Sequence, residues 1–201
     1  MKQDYSEYLM DPSHLENEES EWARQGFYVK NAEAVKEFME LRGLEKVLEI
    51  GCGSGWVAKM LAPFEFFYVG VDKNPNCISL AKGKVANSFF NFENLDVRSI
   101  PFFFQQFSGF DVVCSFAFLK HFSLDEWDNI LKILLWQGKY AIFAVAIAEH
   151  DLDDGTDFPH TSVTLEHLGR AVAVAGHKIL KTEHQSDSAT GYEMLVWTER
   201  V

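Results

Sequence analysis

The stretch from Lys46 to Leu61 constrains this chain more than any other part of it. Lys46-Val47-Leu48-Glu49-Ile50 reads as a short apolar strand and Gly51-Cys52-Gly53-Ser54-Gly55 as a turn of alternating glycines; Val57, Ala58 and Leu61 then fall on one face of a helix. Glycines between a strand and a helix let the backbone pass close to a ligand and aim the helix's first amides at it. A strand that feeds a helix in this way must meet further strands of the same kind, which points to a parallel α/β sheet.

The rest of the chain repeats the unit. A helix opens near Asn31, read as its N-cap, runs through Val35, Phe38 and Met39, and stops at Gly43. Phe66 to Val71 is a second strand ending at Asp72. Asn74 and Pro75 then supply an N-cap and a proline at the first helical position, for a helix toward Gly83. Ser88 to Leu95 and Phe110 to Phe116 are the third and fourth strands, separated by the aromatic stretch that holds Phe102, Phe103, Phe104 and Phe107. Ser123 and Glu126 form a capping box ahead of the stripe Trp127, Ile130, Leu131, Leu134 and Leu135, with Gly138 as the stop. Tyr140 to Ala148 is an apolar run of strand length, as expected mid-sheet. Thr164 opens a last helix that ends at Gly176, and the strands Lys178 to His184 and Tyr192 to Thr198 follow across a polar turn, 185–191. Two successive strands at the end imply an antiparallel hairpin closing a parallel sheet. Residues 1–30, with Tyr5, Tyr8, Leu9, Trp22, Phe27 and Tyr28 among acidic neighbours, read as a docking arm, and 31–201 as one domain.

Composition narrows the partners. With 18 Lys and Arg against 30 Asp and Glu the formal net charge is −12, which repels a phosphate backbone, so nucleic acid is a disfavoured partner. No basic, apolar leader opens the chain, and the apolar run 140–148 is too short for a bilayer, so no membrane partner is expected. Cys52, Cys77 and Cys114 are odd in number and form no CxxC pair. Neither a disulfide framework nor a zinc site is expected, and a reducing cytoplasm fits.

The glycine spacing defines a ligand. Gly51, Gly53 and Gly55 give GxGxG, with Trp56 where a dinucleotide site would need its third glycine, which argues against a nicotinamide cofactor. Glu49, two residues ahead of the first glycine, suits a ligand carrying sulfonium and ammonium groups better than a pyrophosphate. Asp72, 21 residues beyond Gly51, ends the neighbouring strand where a carboxylate can accept both hydroxyls of a ribose. Asp96 can accept from an adenine amino group, with the Val97 amide meeting a ring nitrogen.

Val47-Leu48-Glu49-Ile50-Gly51-Cys52-Gly53-Ser54-Gly55, Val69-Gly70-Val71-Asp72, Asn94-Leu95-Asp96-Val97 and Phe110-Asp111-Val112-Val113 resemble successive motifs of the class I S-adenosylmethionine-dependent methyltransferases, over about residues 31–201. The resemblance implies a doubly wound, mostly parallel seven-stranded sheet in the order 3-2-1-4-5-7-6, strand 7 antiparallel, with helices on both faces. It implies S-adenosyl-L-methionine as cofactor, with the glycine loop passing its methionyl part, Asp72 its ribose and Asp96 its adenine. The full set of expected cofactor contacts is Glu49, Gly51, Cys52, Gly53, Gly55, Trp56, Asp72, Lys73, Asp96, Val97 and Ser115. Asp111 is expected to be structural.

In such a family the acceptor lies over the carboxyl ends of strands four and five, here Cys114 to Ala117 and Ala148 to His150. No Asn/Asp-Pro-Pro-aromatic tetrapeptide stands at the first, a departure from the amino-directed DNA methyltransferases, so a small-molecule acceptor is expected. Methyl transfer is an in-line displacement that alignment accelerates, and a base is optional. His121, in the loop after strand four, is the candidate catalytic base, with an orienting role as its alternative. The loop Glu149 to His160 carries acids and two histidines but no defensible metal spacing, and it is expected to face the same pocket as His121. Alternatives to catalysis by a monomer or homodimer are a non-catalytic S-adenosylmethionine sensor or scaffold and an aminopropyltransferase of the same fold.

Overall fold

The computed structural model describes residues 26–100, 109–149, 161–188 and 191–201. Most of the expected arm, the phenylalanines at 102–107 and the acidic residues at 151–157 lie outside them. Seven strands form one sheet in the order β3-β2-β1-β4-β5-β7-β6. They are β1 Lys46–Ile50, β2 Phe67–Asp72, β3 Phe90–Asn94, β4 Phe110–Ser115, β5 Gly138–Ile147, β6 His177–Ser188 and β7 Gly191–Arg200. The helices are α1 Phe27–Arg42, α2 Trp56–Leu61, α3 Pro75–Lys84, α4 Leu124–Leu135 and α5 Leu165–Val174. The expected strand order and antiparallel last strand are therefore observed. Two compact units divide the chain, Met1–Asp96 and Val97–Val201.

In the first unit β1 pairs in parallel with β2, and β2 with β3. Their side chains Val47, Leu48, Ile50, Tyr68 and Val71 are buried, as are Val57, Ala58 and Leu61 on the expected face of α2. α1 begins one turn earlier than expected. Gly26, in the left-handed region with φ 76°, is its cap, and Asn31 is an interior position with no exposure, its side chain turned into the protein where a cap would sit at the surface. The boundary drawn at residue 30 thus falls inside α1. Gly43 does stop the helix, in the left-handed conformation that leaves its amide free to reach the carbonyls of Met39 and Glu40. Asn74 caps α3 as expected, its side chain accepting from the Asn76 amide at 2.9 Å, with Pro75 at the first helical position.

In the second unit β4 and β5 run parallel, and β5 to β7 and β7 to β6 antiparallel. β5 lies between β4 and β7 and is buried on both faces, which explains its unbroken apolar run. The whole stripe of α4, Trp127 to Leu135, is buried. Ser123 stands at the N-cap of α4 but makes no side-chain cap bond. Its hydroxyl donates to the Glu126 carboxylate at 3.4 Å, and Glu126 is held by Arg98 at 2.6 Å, so the reciprocal capping box does not form. Gly138 does not end α4, which stops at Leu135; it begins β5. A Cβ there would lie 2.9 Å from the Val113 amide nitrogen of β4, so close strand pairing requires the glycine. The final hairpin is longer than expected, β6 continuing through most of the segment read as a turn.

Candidate functional site

Asp72, the last residue of β2, organises the carboxyl edge of the first unit. Its carboxylate accepts from the Gly53 amide at 3.0 Å and the Asn74 amide at 2.8 Å. Its carbonyl accepts from the Leu95 amide and from the Asn94 side chain at the exit of β3. One residue earlier, the Val71 carbonyl accepts from the amides of both Gly51 and Cys52, at 2.9 and 3.0 Å. The glycine loop is thereby fixed to the end of β2 at three amides.

The loop's conformation needs its glycines. Gly51, Gly53 and Gly55 have φ of 74°, 51° and 79°, all in the left-handed region that strains other residues. At Gly55 a Cβ would also stand 2.8 Å from the Ala81 Cβ of α3. The backbone therefore carries a run of left-handed glycines into the first turn of α2.

Electrostatics favour a cation here. Burial pushes the Cys52 thiol well above its ordinary range, and the carboxylates of Asp72 and Glu49 push it further in the same direction. The negative potential that disfavours a thiolate would attract a positive ligand. Burial also raises the Asp72 carboxyl, against the lowering effect of the Asn74 and Gly53 amides and of Lys73. Glu49 is only 3% exposed, and the Tyr68 phenol donates to its carboxylate. This partner was not foreseen. In the β1–β2 register Val47 stands opposite Tyr68 and Glu49 opposite Gly70, so the phenol reaches Glu49 diagonally. Gly70 permits it, since a Cβ there would meet Phe92, Cys52 and Tyr68 at 2.9–3.0 Å. A glycine directly opposite an acid in adjacent strands was the available signal.

Trp56 opens α2 beside the loop. Its ring stacks on Tyr28 of α1 at 6.1 Å, with the ammonium groups of Lys84 and Lys59 at 4.6 and 4.9 Å from the ring centre. Lys84 also donates to the Ser54 hydroxyl. The Trp56 indole N–H is buried and has no hydrogen-bond partner among the described residues. Such a donor is costly to leave unmet and suits an oxygen of a ligand. Lys73 is exposed, and Asp96, two residues beyond β3, is half-buried. The structure thus brings Glu49, Cys52, the three glycines, Trp56 and Asp72 to one loop and its adjoining strand ends.

The other expected residues belong to the second unit. Val97 is buried at the start of a short 3₁₀ turn, Val97–Ser99. Ser115 is the buried last residue of β4, paired with Phe143. His121 ends a second 3₁₀ turn, Leu119–His121, just beyond β4. Between them Ala117 has φ 53°, a left-handed conformation unusual for alanine that makes a tight turn at the exit of β4. No group of three or more metal-ligating side chains occurs among the described residues, and none of their helices is long and apolar enough to cross a membrane.

A family model described as a methyltransferase domain matches residues 47–135. A curated Geobacillus sp. (strain WCH70) protein named as a methyltransferase is 32% identical over 92 residues. That match takes in 42% of this chain and 34% of the relative, so the chain spans about a third of the relative's length. Among solved structures, magnesium protoporphyrin IX methyltransferase from Synechocystis PCC 6803, with bound S-adenosylhomocysteine, superposes with a TM-score of 0.70 at 18% identity, covering 89% of this chain and 85% of that one. An S-adenosylmethionine-dependent methyltransferase from Clostridium acetobutylicum gives 0.66 at 13% identity, covering 86% and 92%. The CcbJ methyltransferase from Streptomyces caelestis gives 0.66 at 13%, covering 85% and 89%.

Proposed function

We propose that this chain, which carries a methyltransferase domain on the class I fold, binds S-adenosyl-L-methionine at the glycine loop of its first unit and directs the methyl group to a small-molecule acceptor. The observation that carries the reading is Asp72. It is a carboxylate held by two loop amides at the end of β2, beside three left-handed glycines and a field that favours a cation.

Each residue has a task in that reading. Asp72 accepts from the ribose hydroxyls while the Gly53 and Asn74 amides hold it in place. Gly51, Gly53 and Gly55 let the main chain approach the methionyl part, Glu49 and Cys52 line the loop, and the Trp56 N–H donates to a carboxylate oxygen. Asp96 and Val97 serve the adenine, and Lys73 and Ser115 border the ligand. The cofactor, when bound, supplies an electrophilic methyl on sulfur. Alignment of the acceptor with that carbon then contributes most of the acceleration. His121, in the loop after β4, takes the acceptor's proton or orients the acceptor. The cytoplasm is proposed as the compartment, supported by three buried free thiols.

The test has two readings. Calorimetric titration with S-adenosylhomocysteine should show one site per chain, and methyl-labelled S-adenosylmethionine should transfer label to a component of a small-molecule cell extract. Failure to bind removes the cofactor assignment; binding without transfer to any fraction favours a sensor or scaffold.

A further inference from the structure

β5 pairs along one edge with β7, from Tyr140 to Ile147. Along its other edge it pairs with β4, but only as far as Phe143, because β4 ends at Ser115. Beyond that point a different segment takes the vacated place: Val163 forms a parallel bridge to Ile147, its amide donating to the Ala146 carbonyl at 3.0 Å and its carbonyl accepting from the Ala148 amide at 3.1 Å. Two residues earlier the Thr161 amide donates to the Lys120 carbonyl at 2.8 Å. Residues 161–163 therefore continue the line of β4 past its carboxyl end and tie together the edge of β5 and the turn that carries His121.

Thr161 is 1% exposed, and its hydroxyl has no hydrogen-bond partner among the described residues. Valine has the same shape and would occupy such a place without the cost of burying an unmet hydroxyl. Ile147, Ala148 and Val163, on the two bridged segments, and Phe116 and Leu119, flanking the turn at Lys120, are all buried, as is the neighbouring Ser162. The tight turn at Ala117, φ 53°, fixes where the Leu119–His121 segment leaves β4.

We infer that the Thr161 hydroxyl is a specificity contact for the methyl acceptor, which presents a hydrogen-bonding oxygen or nitrogen on an otherwise apolar body. This rests on the methyltransferase reading and names the acceptor side of it. A buried hydroxyl among mostly apolar neighbours recognises such a molecule by a directed bond and rejects analogues that leave the hydroxyl unmet.

The experiment compares Thr161→Val and Thr161→Ser with the wild type. In the ligand-free protein Thr161→Val should raise Tm by about 2–4 °C, as expected when an unmet buried hydroxyl is removed from a chain of this size. S-adenosylhomocysteine affinity should stay within about twofold. With the extract fraction that the wild type labels as acceptor, Thr161→Val should raise KM about 10-fold or more with kcat little changed, and Thr161→Ser should restore it. A Tm that is unchanged or lower in Thr161→Val overturns the inference, because the hydroxyl then has a structural partner. Wild-type KM in Thr161→Val also overturns it while leaving the methyltransferase reading intact. A wild-type protein that binds S-adenosylhomocysteine but labels no fraction removes both.

Discussion

Asp72 combines two opposing influences: burial raises its carboxyl, and the amides of Asn74 and Gly53 stabilise the charged form. Because the raised value prevails in the ligand-free chain, this group's contribution to stability is complete below the ordinary carboxylate value of 3.8 and is lost as pH rises through the raised one. Ribose hydroxyls would donate to the charged form, so binding should expel a proton near that pH, and S-adenosylhomocysteine affinity should weaken as pH is lowered from about 7 to about 4. Asp72→Ala should cost about 2 kcal/mol of binding at neutral pH and flatten this dependence; calorimetry across the pH series measures both. If His121 removes the acceptor's proton, His121→Ala should lower turnover about 10²-fold or more, with cofactor affinity little changed. A smaller loss, read in the same turnover assay, assigns it orientation alone.

Among elements, those with local start signals were legible. Asn74 with Pro75 and Thr164 cap α3 and α5 as expected, because a cap's side chain bonds an amide only two or three residues away. Thr164→Ala should therefore cost about 1 kcal/mol of stability in urea denaturation. The α4 cap departs from its spacing because Glu126 bonds Arg98, 28 residues away, and spacing within the helix says nothing of that partner. The join between the glycine loop and α3 is likewise tertiary. Gly55 faces Ala81, so Gly55→Ala combines a left-handed φ of 79° with a steric clash and should cost about 1–3 kcal/mol or more by the same measurement.

At the scale of the whole chain, the net charge of −12 acts beyond any single contact. S-adenosylmethionine, with sulfonium, ammonium and carboxylate, carries one net positive charge, and S-adenosylhomocysteine carries none. The acidic field should therefore favour the former, and raising salt to about 0.5 M should weaken S-adenosylmethionine binding more than S-adenosylhomocysteine binding, as measured by calorimetry. Equal salt dependence would mean that the protein's field does not reach the site.

The alternation of strands and helices, and the glycine loop with its acid at the next strand's end, were legible in the amino-acid sequence, and the seven-stranded order followed from the resemblance that its motifs carry. Each of these is written in contiguous residues: hydrophobic period, turn glycines, and an acid one strand away from the loop. Folding in three dimensions was needed to settle that Gly53 and Asn74 hold Asp72, that Tyr68 holds Glu49, that Gly138 begins a strand, and that Thr161 is buried with its amide on the turn after β4. Those facts depend on register and close approach between segments distant in the chain, and a hydroxyl or a glycine looks the same in sequence whether it faces water, a neighbouring backbone or a binding site.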